Sequence, residues 1–158
     1  MSKITFDGYG NPAPYKVVNF TVDECEKYFV TNFTTSSTRP LNWKKYNVYT
    51  HTLKNHLMKP LVQWLAGSFT TTKVDPDDID LVNFIEHDDF KKDLELFDMN
   101  RSNQFPKKQY NIDGYNVLVF PKQHPYYVKL VERKKYWTEV FASDRANNPK
   151  ALIEVTYT

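Results

Sequence analysis

Pro60 and Gly67 bound a short run, "LVQWLAG", that is apolar and aromatic almost throughout. Such a run between turn-forming residues reads as a buried strand, and a buried strand commits the chain to a sheet. "DIDLVNF", entered from the turn around Pro76, supplies a second strand. "YNIDGYNVLVF" supplies a third, weakened or bulged at Gly114. "ALIEVTY" closes the set, alternating Leu152, Glu154 and Thr156 against Ile153, Val155 and Tyr157.

Helical patterns stand between these strands. "TVDE" is a capping box, in which Thr21 accepts from the amide of Glu24 while Glu24 reaches back, and it starts a helix with Cys25, Tyr28 and Phe29 on one face. Pro40 suits a first helical turn, and Tyr46, Tyr49, Leu53 and Leu57 follow at spacings of three or four, predicting a helix to about Met58. Phe90, Leu94 and Phe97 predict a third helix with Asp88 as its cap, and Pro125 to Phe141 a fourth. Residues 1–20, with "FDGYGNPAP", read as an N-terminal arm. No repeat or linker interrupts the 158 residues, so the expectation is a single α+β domain, burying about 70% of the surface of its unfolded chain. Hydrophobic residues at 41% and aromatics at 16% exclude a disordered chain.

The net charge of +2 does not by itself point to nucleic acid, because a phosphate-binding surface needs clustered cations. The charge is uneven: residues 122–150 hold seven Lys or Arg against three acids, which predicts a weakly basic C-terminal face. Cys25 is the single cysteine and has no partner for an internal disulfide. With no signal-peptide pattern and no membrane-length apolar run, a soluble, cytoplasmic protein is expected.

The chemistry concentrates in "GSFTTTKVDPDDID", Gly67 to Asp80. Side chains alternate along a strand, so Asp78 and Asp80 share one side while Ile79 and Leu81 face the core. Two carboxylates about 4 Å apart repel by roughly 4 kcal/mol at an effective dielectric of 20 unless solvent or a cation compensates them. Hard oxygen ligands of this kind suit Mg²⁺, with Mn²⁺ as the alternative, and Mg²⁺ completes its shell with water and substrate phosphates. Gly67 leaves the strand where backbone can approach a phosphate closely, and the Ser68 hydroxyl and nearby amides can donate to it. A third carboxylate is wanted for a second ion, and Asp113, on the strand-like stretch after Tyr110, is the candidate.

Gly67-Ser68, nine intervening residues and then Asp78-Ile79-Asp80-Leu81 resemble the signature of the nucleotidyltransferase superfamily that includes DNA polymerase β. "FDGYGNPAP", "WLAGSFTTTKVDPDDIDLV" and "YWTEVFASDRANNPKALIEV" extend the likeness to a compact, largely uncharacterised family of bacterial and phage nucleotidyltransferase-like proteins. That family has Lys-Gly where this chain has Lys150-Ala151, and an apolar residue where it has Gly114. The resemblance implies a polymerase β-like fold, a mixed sheet flanked by helices, and a two-ion site on Asp78, Asp80 and Asp113. It implies a nucleoside triphosphate held at Gly67 and Ser68, and nucleotide transfer to an acceptor hydroxyl on RNA, a protein or a small molecule.

Around that core, Lys73 either contacts a nucleotide phosphate or solvates its loop. Arg145 and Lys150 either line the acceptor or triphosphate site or form a solvated helix end. His51, His56, His87 and His124 lack zinc-ligand spacing, and Trp43, Trp64 and Trp137 read as core. Two rivals stand beside transfer: a non-catalytic subunit of a toxin–antitoxin or phage-defence pair, binding a protein partner, and a nuclease built on the same carboxylates.

Overall fold

The computed structural model describes residues 3–101 and 103–158. Its centre is the run between Pro60 and Gly67, now β4 (Leu61–Ala66), numbered after a small hairpin of β1 (Thr5–Phe6) and β2 (Pro12–Ala13) and the edge strand β3 (Val17–Phe20). β4 lies antiparallel to β5 (Ile79–Glu86) on one side and to β7 (Leu152–Tyr157) on the other. β6 (Ile112–Val119) runs parallel to β5, and β3 parallel to β7, at the two edges. The sheet is therefore mixed, in the order β3-β7-β4-β5-β6, and β4 alone opposes the other four.

Helices cover both faces, which is why β4 carries no solvent-facing polar stripe. On one face α1 (Val22–Glu26), a π-helical turn (Lys27–Thr31) and α2 (Arg39–Asn55) pack Cys25, Phe29, Tyr46 and Leu53 against Leu61, Leu65, Ile79, Leu81 and Ile153. On the other, α4 (Tyr127–Phe141) lays Leu130, Trp137 and Phe141 over Trp64, Val82, Phe84 and Val117. Trp43, Trp64 and Trp137 are all core residues, as expected. Among the described residues no helix is long and apolar enough to cross a membrane.

A polar ladder crosses the α2 side of the sheet. Gln63, Asn83 and Asn116 stand opposite one another on β4, β5 and β6. Gln63 Nε2 donates to Asn83 Oδ1 (2.8 Å), and Asn83 Nδ2 donates to Asn116 Oδ1 (2.9 Å) and to the Tyr49 hydroxyl (2.8 Å). Buried amides are costly unless paired, so this set fixes the strand register as well as filling space.

The capping box forms: Thr21 Oγ1 accepts from Glu24 N, and Glu24 Oε2 from Thr21 N. Other expectations need correction. Of the arm expected over residues 1–20, Met1 and Ser2 lie outside the described residues, and the rest is not simply an arm, since β3 joins the sheet and β1 pairs with β2. The stretch through Phe90, Leu94 and Phe97 holds a 3₁₀ helix, Lys92–Phe97, and Asp88 caps nothing there because its carboxylate pairs with Lys59. A short helix, α3 (Phe105–Tyr110), precedes β6, where the sequence pattern gave no helix. Gly114 neither breaks nor bulges β6; a Cβ there would lie 2.9 Å from the Tyr49 hydroxyl, so the glycine makes room for α2.

Candidate functional site

β4 ends where β5, β6 and β7 begin, so Gly67, Asp80, Asp113 and Lys150 come to the same end of the sheet. The register is direct: Ala66 stands opposite Asp80, and Asp80 opposite Asp113. Asp78 sits on the extended approach to β5, two residues before Asp80 and on its side of the chain. Asp78, Asp80 and Asp113 are thereby brought together, although Asp113 is distant in sequence.

A lysine closes the set. Lys107 Nζ on α3 lies 2.8 Å from Asp78 Oδ2 and 3.0 Å from Asp113 Oδ2, and hydrogen bonds to both carboxylates push its pKa up. The ammonium stands where a cation shared by the two aspartates would stand. Asp113 Oδ1, by contrast, is buried and has no hydrogen-bond partner, an arrangement that normally calls for an ion, a water or a ligand.

Asp80 is strongly perturbed. Burial, reinforced by the charges of Asp78 and Asp113, raises its carboxyl pKa to about 6, with Lys150 and Lys107 opposing the rise. Lys150 is only 3% exposed. Its Nζ donates to the Gly67 carbonyl (2.8 Å), and burial lowers its pKa to about 8 while Asp80 and Asp144 act to raise it. Lys150 is thus a buried cation pinned to the β4 terminus, not part of a solvated helix end. Gly67 itself has φ +67° and ψ −160°, a backbone region essentially restricted to glycine.

The loop beyond Gly67 is held from behind. Arg39, fully buried, donates Nε to Val74 O, one terminal nitrogen to Phe29 O and Phe69 O, and the other to Thr71 O and Lys73 O. All five guanidinium N–H groups are thereby used, four of them on the loop. Asp75 ties the same loop to the start of α2 by accepting from the amides of Ser37 and Thr38.

A cleft of about 860 Å³ opens over these residues. Its lining includes Gly67, Ser68, Lys73, Asp78, Asp80, Asp113, Arg145 and Lys150, so every residue singled out from sequence reaches one cavity. Lys73 also pairs with Asp77 at the rim, at 3.4 Å. The same cleft holds residues that the sequence pattern did not mark: Lys107, Tyr9, Asn11 and Asp144. Asn11 Nδ2 donates to Asp144 Oδ2 (3.0 Å), joining the N-terminal segment to the α4–β7 loop, and no local motif could disclose a contact between such distant positions.

The donor set fits a hard divalent cation: Asp80 and Asp113 on adjacent strands, Asp78 on the approach to β5, one buried oxygen without a partner, and an ammonium already between two of the carboxylates. Among the described residues, the group of ligand atoms already within 4.8 Å of one another is a different one, Glu86, His87 and Asp88. There Asp88 is paired with Lys59, and His87 Nδ1 lies 3.2 Å from the Val119 carbonyl.

Comparison with known proteins gives a family match over residues 4–156. The chain belongs to the DUF6932 family. That family is one of unknown function, so membership places the chain without assigning it an activity. Searches of curated proteins and of solved structures returned no match. The aspartates, Gly67 and Lys150 all fall within the DUF6932 match.

Proposed function

We propose that this DUF6932 protein is a Mg²⁺-dependent nucleotidyltransferase, built as one polymerase β-like domain, that joins a nucleoside monophosphate to an acceptor hydroxyl. The observation that carries this reading is that Asp78 and Asp113 share one cation, the Lys107 ammonium, with Asp80 beside Asp113 in strand register and the Gly67-Ser68 turn in the same cleft. Asp78, Asp80 and Asp113 would hold the Mg²⁺ ions, which when bound neutralise phosphate charge and lower the pKa of an attacking hydroxyl.

The chain's own residues account for the rest. The Gly67 backbone lets a triphosphate approach the end of β4, where Ser68 and the loop amides donate to its oxygens. Lys73 and Arg145, at the rim, offset its charge. Asp113, whose Oδ2 edge meets Lys107 in the cleft, orients the hydroxyl of the incoming acceptor. Lys150 offsets the charge of Asp80 from below and holds the Gly67 carbonyl out of the phosphate path. Its role is to position the site, since its ammonium is committed to that carbonyl.

The test is label transfer from each of the four α-phosphate-labelled nucleoside triphosphates, with Mg²⁺, into total RNA and into protein, beside an Asp78→Ala/Asp80→Ala control. Label that disappears in the control supports transfer; label retained there, or none together with no nucleotide binding, overturns it. The second reading, a non-catalytic binding subunit, draws on Lys107, whose ammonium already neutralises two of the carboxylates. It predicts no Mg²⁺-dependent nucleotide binding.

A further inference from the structure

A second cleft, of about 1050 Å³, lies between α4 and β6 and shares Asp80, Val140 and Phe141 with the first. The two cavities therefore meet at a carboxylate of the proposed cation site. Their linings differ. Where the first presents aspartates, the second presents Arg101, Lys129 and Arg133 beside Tyr115, Tyr136 and Trp137.

The acid of this second cleft other than Asp80 is Asp98, whose carboxylate accepts from the amides of Asn100 and Asn116. Among the described residues Arg101 pairs loosely with Glu95 at 3.7 Å and feels the charge of Asp98, and Lys129 pairs loosely with Glu132 at 3.6 Å; such exposed pairs bind their cations weakly. The lining thus sets three cations, Arg101, Lys129 and Arg133, against two acids, Asp80 and Asp98, and two of the cations, Lys129 and Arg133, stand on α4.

The aromatic groups are ordered along it. Tyr115 follows Asp113 by two residues on β6 and so shares its face of the sheet. Its ring packs 4.5 Å from that of Trp137, which packs 5.0 Å from that of Tyr136. Trp137 is buried at 6% exposure, whereas Tyr136 is 49% exposed, so Trp137 serves as the rigid backing and Tyr136 as the presented ring, with the partly buried Tyr115 completing the aromatic wall. Cations that track phosphates, interleaved with aromatic faces on which bases stack, are what sequence-tolerant binding of a single strand requires.

We propose that the second cleft binds the end of a single-stranded nucleic acid and delivers its terminal hydroxyl to the Asp80 junction, making nucleic acid the acceptor. The proposal rests on the nucleotidyl-transfer reading. In the reaction the terminal hydroxyl oxygen bonds to the α-phosphorus of the triphosphate, the bond from that phosphorus to the bridging oxygen breaks, and pyrophosphate departs with those electrons. The hydroxyl proton is released to solvent. An acidic peptide would satisfy the cations but would leave the tyrosine faces without flat partners, so the single strand is the better match.

The test is fluorescence anisotropy with labelled RNA and DNA single strands of about 12 nucleotides, within the span such grooves cover, the corresponding duplexes, and a poly-glutamate peptide. Arg133→Glu and Tyr136→Ala, both at exposed positions, are compared with wild type, and thermal melting checks that each is folded. Single strands should bind in preference to duplex and peptide. Three phosphate contacts should give a log–log salt slope of about −2. Tyr136→Ala should weaken binding roughly 5- to 100-fold and Arg133→Glu about 10-fold. Equal affinity in folded variants, or preference for the peptide or the duplex, overturns the proposal. Binding of Mn²⁺ and nucleoside triphosphate to wild type is measured in parallel. If that binding persists while single strands fail to bind, only the acceptor assignment falls; if single strands bind but the nucleotide does not, transfer falls, and the cleft's role as an acceptor site falls with it.

Discussion

A Cβ added to Gly67 would lie 1.7 Å from Oδ2 of Asp80. The end of β4 and the central aspartate are in contact to the exclusion of any side chain, and the glycine's backbone angles forbid one independently. Gly67→Ala should therefore cost about 1–3 kcal/mol from backbone strain, with displacement of Asp80 added, and should reduce cation binding. Chemical denaturation measures the first effect and Mn²⁺ titration the second. Adding Asp80→Gly to Gly67→Ala should restore part of the stability; if it restores none, the contact is not what limits the single variant.

Lys107 and a divalent cation compete for Asp78 and Asp113. Lys107→Met keeps the aliphatic stem and removes the charge, so the carboxylates lose their built-in counterion. Mn²⁺ should then bind about 10-fold more tightly, a modest share of the Coulomb energy because Lys107 is partly exposed. Electron paramagnetic resonance of free Mn²⁺ reads this directly, and unchanged affinity would show that the ammonium is no competitor.

Acidification should stabilise the cation-free protein through Asp80. Its folded pKa of about 6 exceeds the ordinary 3.8, so between those values the folded chain keeps a proton that the unfolded chain releases. The contribution is full below about 3.8 and is lost as pH rises through about 6, at most about 3 kcal/mol. Asp80→Asn has no proton to lose. With a chelator present, its stability relative to wild type should rise between pH of about 4.5 and 7.5, and parallel denaturation curves at the two pH values would refute the assignment. Lys150, lowered to about 8, titrates above this window and acts in the opposite direction.

Arg39→Lys keeps the charge but offers three donors in place of five. Carbonyls of the loop from Phe69 to Val74 would lose partners, at roughly 1–3 kcal/mol for each group left buried and unpaired. We expect a loss of more than about 3 kcal/mol by denaturation, with faster amide exchange confined first to residues 69–75. Uniform exchange across the chain would mean that Arg39 stabilises the fold as a whole and not the loop.

Sequence patterns disclosed the sheet because β4 and β5 are buried runs bounded by turn residues, and they disclosed the aspartates because strand alternation fixes where Asp80 points. They also led to Ser68 and Lys73, which follow Gly67 in the same turn. Lys107 was invisible: it belongs to a helix of six residues, too short for a periodic signal, and its partners come from two strands. Arg39 was equally hidden, since its guanidinium hydrogen-bonds carbonyls of distant residues, which leave no mark in the sequence. The Gln63–Asn83–Asn116 ladder escaped notice because polar residues in a strand are ordinarily assigned to solvent, and only the register reveals that they meet.

The place of β7 between β3 and β4 has a consequence for how the molecule comes into being during translation. β3 emerges before the other strands of the sheet and remains without its neighbour until β7, the last of them, has followed. β4 keeps one hydrogen-bonding edge open for the same interval. Lys150, the residue that offsets Asp80, arrives on the threshold of β7. A ribosome-bound chain can therefore present its aspartates early, but the cleft around them is complete only when synthesis has passed β7, so any activity it confers waits for that strand.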